Sequence, residues 1–138
     1  MTPIAILLDL AGLSQREAAE FLKCSPSSID KMARGVRSAP AGIIDELRTL
    51  IDRQEEAADY FIDQLDELIA EHGAPETIEL GFPADDHEAQ TLGWPCVGAW
   101  SAMAARVIAQ TDLPCVLVPR ASTPATAAAT DSHERALK

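Results

Sequence analysis

The side chains best suited to bind a polar ligand lie in one short stretch, residues 15–37. Hydroxyl, amide and carboxylate groups there can exchange hydrogen bonds with base edges, and arginine and lysine can neutralise phosphates. Proteins use these groups together to contact the bases and the backbone of a nucleic acid. The stretch therefore predicts a nucleic-acid interface. The candidate residues are Gln15, Arg16, Ser25, Ser27, Ser28, Asp30, Lys31, Arg34 and Arg37.

The overall charge opposes such an interface, but its distribution does not. The 138 residues include 11 basic and 22 acidic side chains, which give a net charge of −11. Residues 14–41 hold five basic and three acidic side chains, whereas residues 55–90 hold twelve acidic side chains and no basic one. The basic excess coincides with the candidate interface, so we expect the acidic remainder to be repelled by DNA.

The sequence contains only weak patterns for metal binding or catalysis. Asp85, Asp86, His87 and Glu88 are expected to form a polar loop or helical turn. They could ligate a metal, but consecutive residues lack the distant partners of a metal site. No nucleophile with a neighbouring base and no glycine-rich phosphate loop is visible in the sequence. We therefore expect no enzyme activity, no metal and no cofactor.

The cysteines and the apolar runs indicate the cellular compartment. Cys24, Cys96 and Cys115 are odd in number and share no C-x-x-C spacing, so we expect reduced, mostly buried thiols. The sequence has no run of about 18 apolar residues and no basic segment ahead of its first apolar residues. We expect a cytoplasmic protein without a membrane span.

Capping residues predict three short helices in the N-terminal third. The first is expected over residues 3–11, with proline at its first position and glycine after its end. Ser14 and Glu17 form a capping box that begins a second helix, which runs to about Leu22. A third helix is expected over residues 26–35. Apolar residues at helical spacing can close one small core and leave the third helix a free polar face.

The segment GLSQREAAEFLKCSPSSIDKMARGVRSAP, residues 12–40, resembles the helix-turn-helix of the phage-repressor family (Cro/C1, Xre-type). Matching features are the Ser-Gln opening of the second helix, its Ala-Ala pair, the Ser before the third helix, Ile29, Lys31, Gly35 and Pro40. Two positions depart from the pattern, because Lys23 replaces the usual turn glycine and Ala33 replaces a common glutamate. We expect a left-handed backbone at Lys23.

The resemblance implies a role in DNA binding for the candidate residues. It implies that Gln15 and Arg16 touch phosphates and that Arg34 and Arg37 flank the backbone. The residues that it places against base edges are Ser27, Ser28, Asp30 and Lys31. A three-helix module that packs against a protein partner is the alternative interpretation of the same helices.

Residues 41–72 are expected to form one long helix or two softly broken ones, about 45 Å in length if continuous. Apolar residues recur along one side, and acidic residues occupy the other. The acidic face is interpreted either as a solvated surface or as a docking surface for another protein.

The C-terminal part predicts a strand at residues 77–82, an apolar helix at 95–110 and an apolar strand at 113–118. A chain of this size cannot easily cover both faces of such elements, so we expect two copies to pair into a four-stranded sheet. The expected dimer interface consists of Leu80, Trp100, Met103, Val107, Val116 and Val118.

The order of elements, with Gly93-Trp94 before the alanine-rich helix, is similar to the two-domain anti-CRISPR-associated repressors and their YdiL-like relatives. This resemblance implies a homodimer that binds an inverted repeat in a promoter, often its own. An antitoxin-like or other protein-interaction module with secondary DNA binding remains the alternative, and an RNA partner is also left open.

These observations predict a mainly α fold with a small β element. Residues 1–72 are expected to form a helix-turn-helix DNA-binding domain with the long helix. Residues 73–119 are expected to form a strand-helix-strand dimerisation domain, and residues 120–138 a flexible tail.

Overall fold

A computed structural model of the chain describes residues 1–120. This part is mainly helical with a small two-stranded sheet, as the sequence predicts. Residues 121–138 of the predicted tail lie outside the described residues. The elements in chain order are α1 (Pro3–Ala11), α2 (Gln15–Leu22), α3 (Pro26–Ala33), α4 (Ala41–His72), β1 (Ile78–Phe82), α5 (Asp86–Thr91), α6 (Val97–Gln110) and β2 (Cys115–Pro119).

Local capping groups determine where the first three helices begin, as predicted. The Thr2 hydroxyl accepts a hydrogen bond from the first turn of α1. In the predicted capping box, the Ser14 amide donates to Glu17 Oε1 (3.0 Å) and the Glu17 amide donates to Ser14 Oγ (3.1 Å). The Ser25 hydroxyl caps α3 by accepting a hydrogen bond from the Ser28 amide. Lys23 ends α2 with a φ of 56°, which confirms the left-handed backbone expected there.

Several boundaries differ from the prediction. The apolar helix begins at Val97 instead of residue 95, because the carboxylate of Asp86 accepts from the Val97 amide at 2.9 Å and caps the helix there. The third helix ends at Ala33, and β2 begins at Cys115. The polar segment after β1 forms the short helix α5, whose first turn is capped by Asp85.

The core is organised around α4, which packs along both α1 and α6. The α4 residues Leu47, Leu50, Ile51, Ala57 and Ala58 are buried. The buried side chains of residues 1–120 form one cluster that extends from α1 to α6. Packing is therefore continuous across residue 72, the predicted boundary between the two domains.

A close backbone approach in this core joins the end of α1 to the start of α6. Gly12 follows α1 with a φ of 76°, and it lies directly against Gly98 in the first turn of α6. A Cβ atom on either glycine would overlap the backbone of the other. The buried side chain of Gln54 spans this junction, and its Nε2 donates to the carbonyl oxygens of Ala11 (2.9 Å) and Ala99 (3.0 Å).

The two strands within residues 1–120 pair with each other in parallel, and the connection between them contains α5 and α6. The register runs from Ile78 opposite Cys115 to Phe82 opposite Pro119. One edge of β2 is therefore hydrogen-bonded to β1. The side chains of the consecutive residues Val116 and Leu117 are 41% and 55% exposed. Both faces of β2 thus present apolar surface.

The structure corrects most of the expected dimer interface. Leu80, Trp100, Met103 and Val107 are each at most 8% exposed, because α4 and the sheet cover α6 within one protomer. Periodicity identified these residues as buried, but it could not show that their own chain covers them. Of the six expected residues, those that remain accessible are Val116 and Val118.

We expect Gly98→Ala to lower the free energy of unfolding by about 1–3 kcal/mol, because the added methyl group overlaps the Gly12 backbone. Gly42→Ala is the matched control, since Gly42 is also the second residue of its helix and a Cβ there meets nothing within 4 Å. The control should gain about 0.5–1 kcal/mol. Urea denaturation measures both, and equal stability of the two variants would contradict the close packing.

Candidate nucleic-acid interface

The polar face of α3 is positioned by its buried side. Ile29 and Met32 point into the core, where α1 and α2 pack against α3. The Thr2 hydroxyl also donates to the Ala33 carbonyl oxygen at 2.8 Å and so links the start of α1 to the end of α3. The opposite side of α3 consequently faces the solvent.

The chain turns back directly after α3. Gly35 adopts a φ of 81°, a left-handed conformation that is readily available to glycine. The amides of Val36 and Arg37 both donate to the Lys31 carbonyl oxygen, at 2.9 and 3.2 Å. This turn brings the Arg37 side chain back alongside the first residues of α3.

Two arginines of the candidate set are held by α3 side chains. Arg34 Nε donates to Asp30 Oδ2 at 2.9 Å, one helical turn away. Arg37 Nη1 donates to Ser28 Oγ at 3.1 Å, and the Ser25 hydroxyl donates to the same oxygen at 3.0 Å. Both guanidinium groups are therefore hydrogen-bonded to side chains of one helix.

The predicted residues divide into four groups by position and contacts. Ser25, Ser28 and Arg37 meet at the start of α3, and Asp30 and Arg34 pair near its end. Within residues 1–120, neither Ser27 nor Lys31 of α3 makes a side-chain hydrogen bond, so these two groups are available to a ligand. Gln15 and Arg16 are exposed at the start of α2, where Arg16 faces Glu20 at 4.0 Å.

Sequence reasoning missed both arginine pairings. The spacing of Asp30 and Arg34 is i, i+4, which is a recognisable signal for an ion pair on a helix. No such signal exists for Ser28 and Arg37, because their contact depends on the turn at Gly35. Ser28 and Asp30 were expected to face bases, but each uses part of its hydrogen-bonding capacity on an arginine.

The long helix α4 carries its acidic residues on the exposed side, as predicted. A second acidic surface borders a cleft of about 230 Å³ between α2 and the start of α6. The residues that line this cleft are Glu17, Glu20, Phe21, Asp86, Gln90, Pro95 and Cys96. Its carboxylates disfavour a phosphate ligand, and those of Glu17 and Asp86 already cap α2 and α6.

Three of the four residues considered as metal ligands have structural roles. Asp85 caps α5, Asp86 caps α6, and Glu88 accepts from the amide of Ala84 at 3.3 Å. Within residues 1–120, no three histidine, cysteine or acidic side chains come together as a metal site would require.

The three cysteines are free, but they are less buried than the sequence suggested. Cys96 is buried, whereas Cys24 and Cys115 are half-buried. Burial raises the pKa of the Cys96 thiol to about 11. Burial also raises the pKa values of the other two thiols.

No protein-family model matches the chain, and a search of curated proteins likewise found no match. Among residues 1–120, none of the helices combines the length and the apolar character needed to cross a membrane.

We expect Cys96 to resist alkylation in the folded protein. With a pKa of about 11, roughly one thiol in a thousand is ionised at pH 8, and burial also excludes the reagent. Cys24 and Cys115 are the internal controls and should react first. Peptide mass spectrometry after iodoacetamide treatment, with and without urea, measures this order. Labelling of Cys96 at the rate of Cys115 in the folded state would refute it.

Proposed function

We propose that the chain is a sequence-specific, double-stranded DNA-binding transcriptional regulator. In this proposal α2 and α3 form a helix-turn-helix, and α3 is the recognition helix. The observation that carries the proposal is the outer face of α3, where Lys31, Arg34 and Arg37 accompany hydroxyl groups while Ile29 and Met32 anchor the opposite side.

The dimensions of α3 support insertion into the major groove. An α-helix with its side chains is about 10–12 Å in diameter, and the major groove of B-DNA is about 12 Å wide. The turn that follows α3 keeps Arg37 close to the helix, so the whole polar set can enter one groove. Gln15 and Arg16 at the start of α2 can contact the flanking phosphates.

Electrostatics favour one orientation on the duplex. Residues 14–41 have a small basic excess, whereas α4 exposes a row of carboxylates. DNA repels the acidic helix and attracts the α3 face, so few docking orientations remain favourable. The low net attraction also limits binding to unrelated sequences.

We place the second protomer at the open side of β2. Val116, Leu117 and Val118 offer an apolar strand whose outer edge is unpaired in the described residues, and such edges favour pairing with another strand. A symmetric dimer presents two copies of α3 to successive major grooves about 34 Å apart, which calls for an inverted repeat. The cytoplasmic protein is then a repressor that binds its own promoter.

A protein-interaction module, similar to an antitoxin, is the second candidate. The last part of α4 favours it, because Leu68 is 53% exposed beside acidic residues that can attract a basic partner. In that case DNA binding is secondary. A partner that copurifies at a fixed stoichiometry and binds through α4 would distinguish this function from the first.

We expect Arg34→Ala and Lys31→Ala to weaken binding to the upstream region of the gene by roughly 5-fold or more each. Arg48→Ala on α4 is the control, because it removes an exposed arginine of similar accessibility from outside α3. Fluorescence anisotropy at two salt concentrations, against an unrelated duplex, measures affinity and preference. Equal affinity of all three variants on every duplex would contradict the proposed interface.

We expect Leu117→Asp to convert the dimer to a folded monomer, because it places a charge on the exposed strand that we assign to the interface. Val36→Asp is the control, since Val36 is 65% exposed in the turn after α3. Sedimentation analysis gives the mass, and circular dichroism tests the fold. A Leu117→Asp protein that remains dimeric would place the interface elsewhere.

A further inference from the structure

The ion pair between Asp30 and Arg34 leaves a defined part of the guanidinium group free. Asp30 Oδ2 contacts Arg34 Nε at 2.9 Å, so one edge of the guanidinium faces the helix. Within residues 1–120, the two Nη groups of Arg34 make no hydrogen bond. Their outer edge carries two parallel N–H donors, the arrangement that pairs with O6 and N7 of guanine.

The position of this pair on α3 is suitable for contact with bases. At 100° per residue, Ser27, Lys31 and Arg34 fall within about 60° of one another on the side opposite Ile29 and Met32. Arg34 therefore lies on the same outward face as Ser27 and Lys31, at the C-terminal end of α3.

We propose that Asp30 determines specificity by acting through Arg34. Asp30 is a positioning residue that holds the guanidinium with its Nη edge outward, and Arg34 reads a guanine in the major groove. This inference rests on the proposed function, and it reverses the roles suggested by the sequence, in which Asp30 contacts a base and Arg34 the backbone.

The carboxylate of Asp30 also opposes binding to the wrong sequence. In water the pair is weak, because the side chains of Arg34 and Asp30 are 59% and 45% exposed. Against DNA the carboxylate is repelled by phosphates, and the bidentate contact of Arg34 with guanine offsets this cost only where a guanine is present. Asp30 therefore lowers affinity for every duplex, but least for one that has guanine at the matching position.

The same arrangement recurs at the other end of α3. Ser28 Oγ accepts from Arg37 Nη1 at 3.1 Å and holds that guanidinium beside the start of the helix. Ser28 is neutral, so it orients Arg37 without repelling phosphates. The two ends of α3 thus differ in whether the group that holds the arginine carries a charge.

A double-mutant cycle with Asp30→Ala, Arg34→Ala and the double variant tests the proposal. The probes are a duplex selected by wild-type protein from a random pool, its variants with each guanine replaced, and an unrelated duplex. Asp30→Ala is expected to lose about 5- to 100-fold preference for one guanine, and Arg34→Ala to lose preference for the same guanine. Asp30→Ala should also bind the unrelated duplex several-fold more tightly than wild type.

Asp30→Asn separates orientation from charge, because its amide oxygen can still accept from Nε. It should retain part of the guanine preference and bind the unrelated duplex as tightly as Asp30→Ala. The two single variants could instead lose preference at different base pairs, with no coupling free energy between them in the cycle. That result would show that Asp30 reads a base directly, and it would overturn the inference. Wild-type protein that selects no sequence from the pool would instead overturn the proposed function.

Discussion

The contact between Gly12 and Gly98, bridged by Gln54, is the constraint on which the rest of the structure depends. The end of α1 and the start of α6 meet backbone to backbone, so neither position has room for a side chain. Gln54 satisfies one carbonyl oxygen on each side. Only its amide NH₂ end can face two carbonyl oxygens, which settles the orientation of the side chain. A carboxylate at this position would place negative charge against both acceptors.

This junction makes the N-terminal helices and the C-terminal elements one body. Because α1 packs on α3 and α6 packs on α4, the proposed recognition helix and the apolar strand β2 are held at a defined separation. The helix α4, which packs on both α1 and α6, has 32 residues, a length of about 48 Å. In a dimer joined at β2, rigid protomers would fix the distance between the two recognition helices, and with it the spacing of the half-sites.

The sequence predicted local features well and long-range contacts poorly. Capping at Ser14 and Ser25 and the left-handed Lys23 depend on a few neighbouring residues, so they could be read directly. Trp100 and Val107 were correctly identified as apolar contact residues but assigned to the wrong partner, because coverage by α4 depends on the whole fold. Gln54 falls within the apolar stripe of α4, and no local pattern shows which carbonyl groups it meets.

At the candidate interface, too, the sequence predicted local features better than contacts between residues that are distant along the chain. Residue types alone singled out this stretch of chain as the candidate interface, since hydroxyl and basic groups are concentrated there. Their roles depend on pairings, because a carboxylate that holds an arginine is no longer a simple acceptor for a base. On this face the proposed contacts rely on the orientation of a few donors more than on total positive charge. In the proposed function, carboxylates over much of the remaining surface leave little non-specific attraction to DNA, and the choice of site comes from the fit of α3 to the bases.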